Sequence, residues 1–120
     1  MTIRSPRPKA TSPGDLHRLL AERGNAQDLD GIVELYEPGA VVTFDRDRPA
    51  IGHVAIRQAF ADLLATNVTF TAEGQRPPLE VGDLAVTSWA SGPTGYTCEV
   101  ARRQPDGSWL WVIDIPDFLA

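Results

Sequence analysis

Two acidic residues stand where acids are out of place. Asp114 lies in the run Trp109-Leu110-Trp111-Val112-Ile113-Asp114-Ile115, and Glu99 lies inside Tyr96-Thr97-Cys98-Glu99-Val100-Ala101. A carboxyl on an apolar face loses solvation when it ionises, so its pKa rises. A carboxylic acid kept neutral, or a base poised near pH 7, is what proton transfer needs. Asp114 is the sharper case, because strand alternation puts Leu110 and Val112 on its own face. The alternative is a purely structural acid paired with Arg103 or Arg57. For Glu99 the alternative is solvent access that leaves it an ordinary carboxylate.

Other residues could assist. Asp45 opens the charged loop Asp45-Arg46-Asp47-Arg48-Pro49. That loop is either a solvated stretch with weak local ion pairs or the rim of a pocket. His53 stands at the start of a predicted helix, where a histidine is either a capping residue or a site residue. Tyr36 suits the core, with its hydroxyl reaching a partner at the rim. Phe44, Phe60, Val112 and Arg103 complete the expected lining. His17 follows Leu16 on the first predicted helix and is expected to be partly exposed. Two histidines without paired spacing make no metal site. Cys98 has no histidine pattern near it and reads as a structural thiol, and Trp89 reads as packing or interface. There is no phosphate loop, no dinucleotide glycine fingerprint and no nucleophile elbow, so no cofactor is expected.

The bulk properties narrow the classes. The chain has 120 residues and a formal net charge of −5. One domain is the default at this length, and the acidity argues against nucleic acid or an anionic membrane as partner. A single cysteine fits a reducing compartment. No apolar run approaches the ~20 residues of a membrane span. The N-terminus is basic but lacks the apolar core of a secretory signal, so the cytoplasm is expected. Residues 1–11 read as a disordered tail, and 12–120 as a single domain.

The elements that must position these residues follow from periodicity. Ser12-Pro13-Gly14-Asp15 starts a helix with the stripe Leu16, Leu19 and Leu20, and Gly24-Asn25 ends it. Asp28 caps a second helix carrying Leu29, Ile32, Val33 and Tyr36, which Glu37-Pro38-Gly39 stops. Residues 40–44 suit a strand. Gly52 opens a third helix over 53–65, with Ile56, Phe60, Leu63 and Leu64 on one face. From Val68 the period becomes two, which predicts a strand over 68–73. A short piece at 79–81, strands at 84–90, 96–104 and 109–115, and turns at Gly82-Asp83 and Pro105-Asp106-Gly107 complete the chain, with 91–95 a loop. In the last strand Trp109, Trp111, Ile113 and Ile115 share one face. Both faces of that strand are largely apolar, so both need cover. Helices cover one, and a second copy of the chain is the simplest cover for the tryptophan face.

The pattern DLDGIVELYEPGAVV, then Gly52, Ala55 and Ile56 leading a helix, then a meander ending RRQPDGSWLWVIDIP, resembles the nuclear transport factor 2-like superfamily. Within it the chain is most similar to SnoaL-like and ketosteroid-isomerase-like bacterial proteins. The resemblance implies an α+β, cystatin-like cone. Three N-terminal helices would pack on the concave face of a curved, mostly antiparallel sheet. It also implies a pocket at the open end and a homodimer through the convex face, here Trp109, Trp111 and Ile113. Asp114 and Glu99 would then face the hollow from neighbouring strands. The isomerase base position falls on Phe44, one residue short of Asp45. The family's oxyanion tyrosine falls on Leu20, and its second oxyanion acid near Glu99. Steroid isomerisation is therefore disfavoured. The expected function is binding of a small apolar or polyketide-like molecule, with isomerase, cyclase or dehydratase chemistry through Asp114, Glu99, Asp45 and His53. The alternative is a non-catalytic ligand-binding or accessory protein using the same pocket.

Overall fold

The computed structural model describes residues 6–90 and 95–119. The residues 91–94 of the expected loop and 1–5 of the expected tail lie outside the described residues. Three helices, α1 (Asp15–Asn25), α2 (Leu29–Val33) and α3 (Gly52–Leu64), pack on one face of a six-stranded sheet. The strands are β1 (Tyr36–Val42), β2 (Ala50–Ile51), β3 (Leu79–Val81), β4 (Leu84–Thr87), β5 (Tyr96–Arg103) and β6 (Trp109–Leu119), in the order β2-β1-β6-β5-β4-β3. β1 and β6 run parallel and the other neighbours antiparallel. The α+β expectation holds.

The helix starts differ slightly from expectation. Asp15 accepts from Thr11 and Ser12 at the head of α1, but Ser12 makes no side-chain cap. Asp28 caps α2 by accepting from the Gly31 N–H at 3.1 Å. α2 then stops early. Tyr36, expected on the helix, is the first residue of β1, and Glu37-Pro38-Gly39 lies inside that strand. The reason is local. β2 pairs only with Val41 and Val42, and the β1–β6 register shifts between Tyr36 and Val41. Pro38 sits in that gap, where no ladder bond needs its missing N–H.

Val68 to Glu73, expected as a strand, forms none. Its alternation is real, but its backbone joins no ladder, and pairing begins only at Gln75, which bridges Trp89. Asn25 holds it instead. Its side-chain amide donates to the Phe70 carbonyl at 2.9 Å and accepts from the Phe70 N–H at 2.8 Å. The expected tail is corrected too. Arg7 grips Asp28 with two bonds of 2.7 and 2.8 Å, and Ala10 is buried while its carbonyl accepts from the Trp109 N–H at 2.9 Å. Residues 6–11 are a strap.

The largest correction lies in β6. Val100 pairs with Ile113 but Ala101 pairs with Trp111, so Val112 is the extra residue of a bulge. A bulge reverses the alternation beyond it. Trp109, Trp111 and Asp114 therefore share the helix-covered face, and Ile113 points away from it at 41% exposure. Trp109 and Trp111 are core residues within one chain and take no part in an interface. Trp111 is fully buried, with its ring centroid 5.4 Å from Tyr36 and 5.2 Å from His17.

The Asn25 bond pair should hold the 68–73 segment in place. Asn25→Ala is expected to cost about 1 kcal/mol and to speed amide exchange at Phe70. Hydrogen exchange read by NMR checks this, and an unchanged Phe70 rate would show that something else pins the segment.

Candidate functional site

A cavity of about 210 Å³ lies between the helices and the sheet. α1 contributes His17, Leu20 and Ala21, which fall at helical spacing i, i+3, i+4. α3 contributes Phe60 and Leu63, the stretch after β1 contributes Phe44, and Val68 to Thr71 close one wall. The sheet floor carries Glu99, Trp111 and Asp114. The cavity is smaller than the ~300–1,000 Å³ of drug-sized sites, so it suits a small ligand. A larger groove of about 420 Å³ lies between the N-terminal strap and the turn after β5. Its cations are already engaged: Arg7 with Asp28, Lys9 with Asp106, and Arg23 with the carbonyls of Gly31 and Pro8.

Asp114 and Glu99 are directly opposite on β6 and β5. Both are buried. The Tyr36 hydroxyl donates to Asp114 Oδ2 at 2.5 Å. Burial, and then the neighbouring charge of Glu99, push the Asp114 carboxyl up to about 8 against the opposing pull of the Tyr36 bond. Burial beside Asp114 also pushes the Tyr36 phenol well above its usual range. Glu99 Oε1 lies 2.5 Å from His17 Nε2 and accepts from Thr87 Oγ1 at 2.6 Å. The Trp111 indole N–H donates in turn to Thr87 Oγ1 at 3.1 Å. These bonds occupy Oδ2 of Asp114 and Oε1 of Glu99. Oδ1 and Oε2 are the oxygens left to meet a ligand.

The structure brings some expected site residues together and separates others. Asp114, Glu99, Phe44 and Phe60 line the cavity, and Tyr36 stands behind Asp114. Asp45 is exposed and accepts from the Asp47 N–H within its own loop. His53 bonds the Tyr36 carbonyl at 2.8 Å instead of facing the cavity. Val112 sits in the bulge, off the cavity wall. Arg103 pairs with Asp83 at 2.5 Å and lies over the Trp109 ring. Arg57 pairs with Asp30. Neither arginine therefore serves Asp114 as a structural partner.

Sequence reasoning missed His17, Thr87 and Trp111 as site residues. For His17 a signal existed. Leu20 and Ala21 follow it at helical spacing and widen the apolar stripe to include it. For Thr87 nothing in the sequence marked the hydroxyl. Among the described residues no group of three or more His, Cys, Asp and Glu could hold a metal ion, and no helix is long and apolar enough to cross a membrane.

The Asp114 shift has a stability consequence. An unfolded aspartate titrates near 3.9, while the folded one is held at about 8. The folded state thus keeps a proton that the unfolded state releases. Its contribution is full below about pH 4 and is lost as pH climbs towards 8. Asp114→Asn removes this dependence. The variant should melt about 4 °C or more above the wild type at pH 8.5, with the gap closing below pH 5. Thermal melts across that range check it, and parallel curves would show that Asp114 is not held protonated.

Among solved structures, the chain is similar to a ketosteroid isomerase-like protein from Erwinia carotovora atroseptica, with 15% identity, TM-score 0.65, and coverage of 83% of this chain and 88% of the other. It is similar to a cystatin-fold protein of unknown function from Nostoc punctiforme, with 16% identity, TM-score 0.61 and 84% of each chain covered. An NTF2-like, cystatin-fold protein from Novosphingobium aromaticivorans shares 19% identity at TM-score 0.58, over 84% of this chain and 75% of the other. At these identities the likeness is one of fold. No curated protein gives a significant match. The SnoaL-like domain profile matches residues 16–118, and the chain belongs to the SnoaL-like domain family.

Proposed function

We propose that the cavity binds a small, largely apolar carbonyl compound and that the Asp114–Glu99 pair moves a proton on it. The facing pair of buried carboxyls carries this reading. At pH 7 Asp114 holds a proton and Glu99 supplies the negative charge that helps keep it there. Asp114 gives its proton to the carbonyl oxygen while Glu99, oriented by Thr87 and His17, takes one from the adjacent carbon. The product is the enol, and in a ketone with a β,γ double bond, where it is a dienol, return of the proton to the γ carbon completes an isomerisation. After enolisation Asp114 is ionised and Glu99 protonated, and the return step restores both. The pair carries one negative charge before and after the step, so no second charge is ever buried. Neither a metal nor an organic cofactor enters this step.

Binding without turnover is the second reading. Leu20 favours it, because it stands where the family's hydroxyl donor was expected and offers the ligand only an apolar contact. The two readings separate on α-deuterium exchange of cyclohexanone in heavy water, followed by NMR. Catalysis predicts enzyme-dependent exchange that falls as pH rises past about 8, where Asp114 loses its proton. Asp114→Asn should abolish the exchange, and Leu20→Trp should block binding by filling the cavity. Binding with no exchange at any pH would leave the second reading.

We also propose a homodimer through the sheet face turned away from the helices, with the protein acting in the cytoplasm. Leu84, Val86 and Ile113 expose 44%, 41% and 41% of their surface there. Such a patch on a soluble protein marks an interface. Ile113→Lys should turn a dimer into a monomer in analytical ultracentrifugation, and a monomeric wild type would rule the dimer out.

A further inference from the structure

We infer that Thr97 sets the ligand's specificity, and that the ligand is a single small ring carrying oxygen at opposite ends. This rests on the reading of the cavity as a carbonyl site. Thr97 Oγ1 is buried, and no group among the described residues reaches it with a hydrogen bond. Buried hydroxyls in folded proteins are nearly always paired, so one that is not calls for a partner from outside the chain. Thr97 lines the same cavity as Asp114 and Glu99. Its backbone N–H is already used on the Trp89 carbonyl at 2.9 Å.

The spacing gives the ligand its length. Thr97 stands two residues before Glu99 on β5, so the two side chains share a face roughly 6.5 Å apart. On β6, Pro116 stands two residues after Asp114 and also lines the cavity. The cavity thus has an acid pole at Asp114 and Glu99 and a hydroxyl pole at Thr97. Between them the walls are aromatic, with Phe44 and Phe60 packed edge to face at 5.1 Å between centroids, and Trp89 near the second pole. A volume of about 210 Å³ takes one ring in preference to a fused system. A ring whose carbonyl meets Asp114 would bring an oxygen on its far carbon to Thr97. Because a hydroxyl both donates and accepts, Thr97 would take either a hydroxyl or a carbonyl at that end.

The test compares cyclohexanone with 4-hydroxycyclohexanone, titrated by NMR against the wild type, Thr97→Val and Thr97→Ser at pH 7. The 4-hydroxy compound should bind the wild type about tenfold more tightly than the plain ketone. Thr97→Val should bring that ratio to about one, and Thr97→Ser should restore it. The ligand-free Thr97→Val protein should melt no lower than the wild type, since the hydroxyl has no internal bond to lose. A ratio that survives in Thr97→Val overturns the inference, and so does a melting temperature that drops as it would for a lost internal bond. If cyclohexanone binds but its 4-hydroxyl confers no advantage, only the role of Thr97 fails. If neither ketone binds, the carbonyl-site reading fails with it.

Discussion

Val112 is the extra residue of the bulge between β5 and β6, and the side-chain arrangement of the core follows from it. Without it, strand alternation would send Asp114 to the opposite face from Trp109 and Trp111. With it, all three turn towards the helices. Trp111 can then stack near Tyr36 and His17, and Asp114 can stand beside Glu99 beneath the same cover. A bulge costs one unpaired residue in the ladder. Here it lets one strand supply both a hydrophobic anchor and an acid to the same enclosed space.

That enclosure dictates the electrostatics. Two carboxylates sharing a dry site repel, so one of them holds a proton. The hydrogen bonds decide how the two are posed. Tyr36 holds one oxygen of Asp114, while Thr87 and His17 hold one oxygen of Glu99. Thr87 is in turn oriented by the Trp111 indole. The residue that anchors the core thus also sets the geometry of an acid, and packing and chemistry cannot be varied separately at this point.

Much of this was legible in the sequence. Strong local signals gave the third helix, the strands around Glu99 and Asp114, and the Pro105-Asp106-Gly107 turn. The buried acids stood out because acids are rare in apolar strands. What stayed hidden was set by contacts distant in the chain. Strict period two placed Trp109 and Trp111 on the wrong face, because nothing in Trp-Leu-Trp-Val-Ile-Asp marks Val112 as supernumerary. Pro38 read as a helix stop, since its tolerance depends on β2 being too short to pair beside it. Val68 to Glu73 read as a strand because the pattern records burial and not backbone pairing. Arg7 read as tail charge because its partner, Asp28, lies 21 residues away.

The wall built from residues 68–73 has a wider meaning. It borders the cavity yet lends no backbone to the sheet, and two side chains tether it, Asn25 at Phe70 and the Trp89 indole at the Glu73 carbonyl. Changes of length or sequence there would reshape the chamber while leaving the strand ladder and its acids untouched. Descendants of such a scaffold could exchange one ligand for another by editing a few surface residues, without passing through an unstable ancestor.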